Sequence, residues 1–162
     1  MRSFYLTCLI ILVLVSAAIA APVTGREPLK IKSDKLHADN ENKTATFEGN
    51  VVARQGELTL HADRLVITYS GANRDLAKVE AFGHVRILQA TRQATAAHAV
   101  YDPKASSIVL DGSPKVMQGE DVIAGKLITY FVNEQRSVVT GGPNERVEAV
   151  IHPGGKNAGA KP

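Results

Sequence analysis

Between residues 28 and 152 the chain repeatedly alternates between apolar and polar positions. Leu29-Lys30-Ile31-Lys32, Glu57-Leu58-Thr59-Leu60-His61, Arg64-Leu65-Val66-Ile67-Thr68-Tyr69 and His84-Val85-Arg86-Ile87 follow the pattern, and Lys126-Leu127-Ile128-Thr129-Tyr130 follows it in part. A period of two enriched in β-branched residues predicts half-buried strands, and the three-and-four spacing of an amphipathic helix is almost absent. Turn formers separate the segments: Asp39-Asn40-Glu41-Asn42, Gln55-Gly56, Ser70-Gly71-Ala72-Asn73, Asp102-Pro103, Gln118-Gly119-Glu120-Asp121 and Asn133-Glu134. The pattern predicts an all-β chain of roughly fifteen strands.

The punctuation is periodic. A glycine closes a similar phrase four times, in Phe47-Glu48-Gly49-Asn50-Val51, Phe82-Gly83-His84-Val85, Leu110-Asp111-Gly112-Ser113-Pro114 and Val139-Thr140-Gly141-Gly142, at spacings of 34, 29 and 29 residues. A second phrase precedes each one: Ser33-Asp34-Lys35-Leu36, Ala62-Asp63-Arg64-Leu65, Ala97-His98-Ala99-Val100 and Ala124-Gly125-Lys126-Leu127. Two phrases in register four times predict an internal repeat of about thirty residues, each unit reading strand, turn, strand, glycine turn, strand. Such a unit cannot bury its apolar face alone. Stacked units form an open β-roll with a continuous apolar lining and unpaired strands at both ends.

Composition sets the compartment. Met1-Arg2, the apolar run Leu6 to Val15 and the small-x-small site Ala18-Ile19-Ala20 make residues 1–20 a secretory leader, with the mature chain starting at Ala21. The only cysteine, Cys8, leaves with it, so the exported chain holds itself together without disulfides. Residues 21–27 read as a flexible start, 28–152 as the β-roll, and the Gly/Pro/Lys-rich 153–162 as a disordered tail. The leader carries one of the nineteen basic residues, which leaves a net charge near +2. That balance, without tryptophan and with few aromatics, argues against a nucleic-acid reader.

No constellation supports an enzyme or a cofactor. The five histidines have no metal-ligand spacing, and His61-Ala62-Asp63 fits exposed polar residues on a strand better than a base and its orienter. Phosphate loops and nucleophile elbows are absent. Lys30, Lys32 and Lys35 near the first edge could meet lipid phosphates or, as edge lysines often do, discourage aggregation.

Ile31-Lys32-Ser33-Asp34, Thr46-Phe47-Glu48-Gly49-Asn50-Val51-Val52, Gln55-Gly56 and Ala62-Asp63-Arg64-Leu65-Val66-Ile67-Thr68 resemble the OstA-like family of periplasmic lipopolysaccharide-transport proteins over roughly residues 28 to 142. The chain departs from that likeness in the Ala/Thr-rich stretch Gln89 to Ala97. The resemblance implies an open, slightly twisted β-jelly roll, two antiparallel sheets in a V around an apolar interior. It implies that the chain shields the acyl chains of lipopolysaccharide and joins copies of itself head to tail. Its partners would be an LptC-type inner-membrane component and the amino-terminal domain of an LptD-type outer-membrane protein. A membrane-tethered LptC-like component and a β adaptor that carries no lipid are the alternatives.

One parity of each strand must supply the interior. The inward set is Leu29, Ile31, Phe47, Val51, Leu58, Leu60, Leu65, Ile67, Ile87, Tyr101, Ile108, Leu110, Val116, Ile123, Ile128 and Tyr130. The resemblance places Leu29, Ile87 and Tyr101 where the family touches lipid. A groove for lipid and a core that fills itself share this pattern. The expected edge contacts are Leu29, Lys30, Ile31 and Lys32 at the amino end and Val138, Val139 and Val147 at the carboxyl end.

Overall fold

The computed structural model describes residues 27–153. The expected leader, residues 21–26 of the expected flexible start and residues 154–162 of the expected tail lie outside the described residues. The described chain is all strand and turn: β1 (Lys30–Lys32), β2 (Lys35–Asp39), β3 (Thr44–Gln55), β4 (Leu58–Ser70), β5 (Asp75–Gln89), β6 (Arg92–Asp102), β7 (Ser107–Asp111), β8 (Lys115–Gln118), β9 (Asp121–Ala124), β10 (Leu127–Phe131), β11 (Arg136–Thr140) and β12 (Glu148–Val150). Twelve strands replace the expected fifteen because β3 to β6 run 12, 13, 15 and 11 residues without a break.

Each of these four strands serves two layers. One layer runs β2, β3, β4, β5, β6, β7, β10, β11, using the Thr44–Glu48 end of β3. The other runs β1, β3, β4, β5, β6, β8, β9, β12, using the Val51–Gln55 end. Every pairing is antiparallel, and the whole forms one open sheet folded along a line across its long strands.

The fold line is a row of bulges. Gly49-Asn50 in β3 stands opposite the single residue Asp63 in β4, and Gly83-His84 in β5 opposite Ala97 in β6. Both residues of each pair are left-handed, with φ of 78° and 48° in the first and 74° and 46° in the second. An added Cβ at Gly83 would run into the Asp63 carboxylate, and one at Gly49 into that of Asp34. The same carboxylates brace the following residue: Asn50 Nδ2 donates to Asp34 Oδ2 at 2.9 Å, and His84 Nδ1 lies 2.7 Å from Asp63 Oδ2. The first two repeat glycines therefore bend continuous strands rather than close them, which corrects the expected glycine turn. At the third site Ala97 takes the aspartate's place beneath Gly112. The third phrase is thus Ala96-Ala97-His98-Ala99, one residue earlier than the sequence reading placed it. Gly141 is not left-handed, so the device occurs three times rather than four.

The core straddles this line. Val51, Ala53, Ala62, Leu65, Ala81, Val85, Ala96, Ala99, Leu110 and Ile128 are buried together. Half of them are alanines, and small side chains let two layers approach closely at the fold. The inward parity shifts from even to odd in β4, between Ala62 and Leu65, and in β6, between Ala96 and Ala99, as each strand crosses it.

Two-residue hairpins close the far rim of the second layer at Gly56-Glu57, Ala90-Thr91 and Gly119-Glu120. The first position is left-handed in all three, with φ of 57°, 50° and 62°, the pattern of a type II′ turn that favours glycine. At Ala90 a Cβ occupies a conformation that costs roughly 1–2 kcal/mol. Ala90→Gly is expected to stabilise the chain by about 1 kcal/mol and raise its melting temperature by roughly 3–5 °C. An unchanged or lower midpoint in thermal unfolding would show that residue 90 is not left-handed.

Candidate functional site

The layers diverge from the fold line and leave a groove between them. Its first cavity, about 300 Å³, lies between Leu58 and Ile87 of one layer and Tyr101, Ile108 and Tyr130 of the other. A second, about 320 Å³, continues past the same residues to Leu110, Val116, Ile123 and Ile128. Leu58, Ile87, Gln89, Ile108 and Tyr130 border both, so the two volumes are neighbouring stretches of one groove running across the strands. Each matches the lower end of small-molecule sites, about 300 Å³.

Of the sixteen residues in the expected inward set, Leu29, Leu58, Leu60, Leu65, Ile87, Tyr101, Ile108 and Tyr130 line the first cavity, and Leu110, Val116, Ile123 and Ile128 join the second. Val51 and Ile67 are buried, and Ile31 and Phe47 pack half-buried against the core. The sequence reading passed over Ala53, Leu76, Val79, Ala81, Ala99 and Val132, which also line the first cavity. The alanines are too small to mark a strand face. Leu76 and Val79 lie beside a register shift opposite Thr68 and Tyr69, which breaks the alternation that would have flagged them.

The ends are open. β1 and β2 terminate the two layers on one side, β12 and β11 on the other. Lys30, Ile31 and Lys32 form β1, Leu29 precedes it, Val138 and Val139 lie in β11, and Val147 precedes β12. Val139 packs inward against the core while Val138 is exposed. β2 is an edge that the sequence reading did not name, and its Leu36 is 58% exposed. Val150 and Ile151 expose further apolar surface at the opposite end.

The histidine–carboxylate pairs stay outside the groove. Asp63 meets His84 and not His61, so the His61-Ala62-Asp63 triplet makes no base–orienter pair. His98 stacks on Phe82 with ring centroids 4.6 Å apart, lies 2.9 Å from Asp111 and lines neither cavity. Among the described residues, no three His, Cys, Asp or Glu side chains converge as a metal site.

Residues 30–136 match the family model described as "LptA/(LptD N-terminal domain) LPS transport protein". The chain belongs to this family. It is 30% identical to the lipopolysaccharide export system protein LptA of Escherichia coli K12 over 155 residues, covering 88% of this chain and 84% of the relative. It is 31% identical to LptA of Haemophilus influenzae over 145 residues, covering 85% and 84%. The crystal structure of LptH of Pseudomonas aeruginosa, the LptA-homologous periplasmic component of a lipopolysaccharide transport device, superposes with a TM-score of 0.69 at 20% identity, over 78% of this chain and 96% of that one. That likeness shows the fold, an open β-jelly roll.

The parity of this family member can be tested at one step of β4. Ile67 is 3% exposed, whereas Thr68 faces outward beside Lys78 of β5. Burying an unpaired carboxylate costs several kcal/mol against a total stability of about 5–15 kcal/mol. Ile67→Asp is expected to unfold the chain or lower its urea midpoint steeply, and Thr68→Asp to leave the midpoint nearly unchanged. Equal losses would overturn the assigned faces.

Proposed function

We propose that this chain is a periplasmic lipopolysaccharide carrier that holds acyl chains between its layers and joins copies of itself end to end. The observation that carries the reading is an apolar groove running across the strands toward two open ends. Exposing one acyl chain of about a dozen methylenes to water costs roughly 10 kcal/mol at about 0.8 kcal/mol per methylene. A lipid crossing an aqueous compartment needs a dry path, and a groove perpendicular to the strands supplies one that lengthens with each added strand.

One copy is short. Eight strands per layer leave seven spacings of about 4.8 Å, roughly 34 Å from edge to edge. Head-to-tail joining extends the path. With alternating strand directions in both layers, β11 of one copy would meet β2 of the next antiparallel, and β12 would meet β1 antiparallel as well. Both ladders therefore continue without reversal, and their main-chain groups find partners. Lys30 and Lys32 on β1 would face the Glu148 end, a complementary charge pattern. The two ends differ, so the contact is heterologous and non-closing. The same edges suit the terminal partners, an LptC-type component and the amino-terminal domain of an LptD-type protein.

Leu36, 58% exposed on β2, and Val138, 41% exposed on β11, sit on the edges that would meet. The wild-type chain is expected to grow with concentration in light scattering and to bind lipopolysaccharide. Leu36→Asp and Val138→Asp alone should each remain monomeric. Mixed, they should stop at dimers, because each retains one intact end. A wild-type chain that stays monomeric at high concentration would remove the assembly, and one that binds no lipopolysaccharide would leave only a protein adaptor.

A further inference from the structure

The groove changes character at its mouth, and it does so at the period of the repeat. The last inward residue before each hairpin of the second layer is a glutamine: Gln55 after Val51 and Ala53, Gln89 after Val85 and Ile87, Gln118 after Val116. Their spacings of 34 and 29 residues equal those of Gly49, Gly83 and Gly112 on the fold line. Gln55 and Gln89 line the first cavity, and Gln89 and Gln118 the second. The opposite lip carries Tyr101 and Tyr130, each the inward residue nearest the loop that follows its strand, in register through Ile108.

Self-packing does not account for these groups. All three glutamines are exposed at the rim. Gln55 Nε2 donates to the Glu27 carbonyl at 2.9 Å, and Arg92 Nε donates to Gln118 Oε1 at 3.1 Å. Among the described residues, the Gln89 amide and both tyrosine hydroxyls make no side-chain hydrogen bond, and all three residues line the first cavity. An apolar groove fixes that hydrocarbon goes in but not how deep it goes. A row of neutral groups that both donate and accept, set where the lining ends, fixes depth.

We propose that the two lips bind the linkage region of an acylated glycolipid: the ester and amide carbonyls and adjoining hydroxyls where acyl chains leave the sugar. The proposal rests on the reading that acyl chains occupy the groove. The chemistry favours carbonyls over phosphates, because phosphate sites draw arginine and lysine, and Arg92 is the one cation lining either cavity, already engaged with Gln118. Equivalent glutamines are two strands apart, about 9.6 Å. A lipid moving along the groove would exchange one set of bonds for an equivalent set one repeat onward while its chains stay dry.

The test compares lipid A, dephosphorylated lipid A and the apolar dye diphenylhexatriene on the full mature chain. The variants are Gln55→Leu/Gln89→Leu/Gln118→Leu and Tyr101→Phe/Tyr130→Phe. Losing two or three hydrogen bonds should lower the ratio of lipid A affinity to dye affinity by about tenfold. The same drop is expected with dephosphorylated lipid A. Unchanged ratios in both variants would overturn the lip assignment while leaving the groove. A drop that vanishes without phosphates would overturn the linkage assignment in favour of phosphate recognition. If the triple variant loses all binding by misfolding, the tyrosine pair, which retains its rings, decides by the same ratio. Wild-type protein that binds neither lipid nor dye would instead remove the groove reading itself.

Discussion

The architecture depends on the close approach at the bulge line, where Asp34 and Asp63 sit over Gly49 and Gly83. Two left-handed residues against one let a long strand turn from one layer into the next without giving up its ladder. No side chain fits at the glycine, because an aspartate occupies that space and braces the next residue, Asn50 or His84. Alanines alongside, at positions 53, 62, 81, 96 and 99, keep the layers close at the line. From there the layers can only diverge, and the space between them becomes the groove.

The same geometry explains why the sheet stays open. Strands that each serve two layers stack as a repeat, and closing them into a barrel would both remove the edges and seal the groove. The open edges are a liability in an isolated chain, since they expose Leu36, Val138, Val150 and Ile151 beside unpaired backbone. Under the proposed end-to-end assembly, those edges are where the next copy would join. The lips add polar groups where lining meets solvent, so a single repeat supplies a bend, a stretch of apolar wall and a polar rung.

Much of this was legible in the sequence. The period-two segments identified the fold class, the parity in β4 and β10 picked residues that line the cavities, that in β3 picked Phe47 and Val51 of the core, and the glycine spacing revealed the repeat. Where reading failed, the cause was local. Gly49-Asn50 and Gly83-His84 look like turns, because left-handed residues mark turns and bulges alike, so long strands were divided and the count came out high. Ala97 in place of aspartate removed the landmark of the third repeat, which slipped by one residue toward His98. Ala90-Thr91 carries no turn signature, so the hairpin joining β5 to β6 went unseen although its neighbours, Gly56 and Gly119, announce theirs. β2 was overlooked as an edge because its pattern, Lys35-Leu36-His37-Ala38-Asp39, is exposed along its whole length.

The central claim is that lipid travels between the layers and not over them. Adjacent residues of β5 separate the two paths: Ile87 borders both cavities, while Arg86 is exposed on the outer face. A photo-crosslinking side chain placed at each position in turn, in cells exporting lipopolysaccharide, reads the route directly. The account predicts a lipopolysaccharide adduct from position 87 and none from position 86. Adducts of equal yield from both positions, or from position 86 alone, would contradict it.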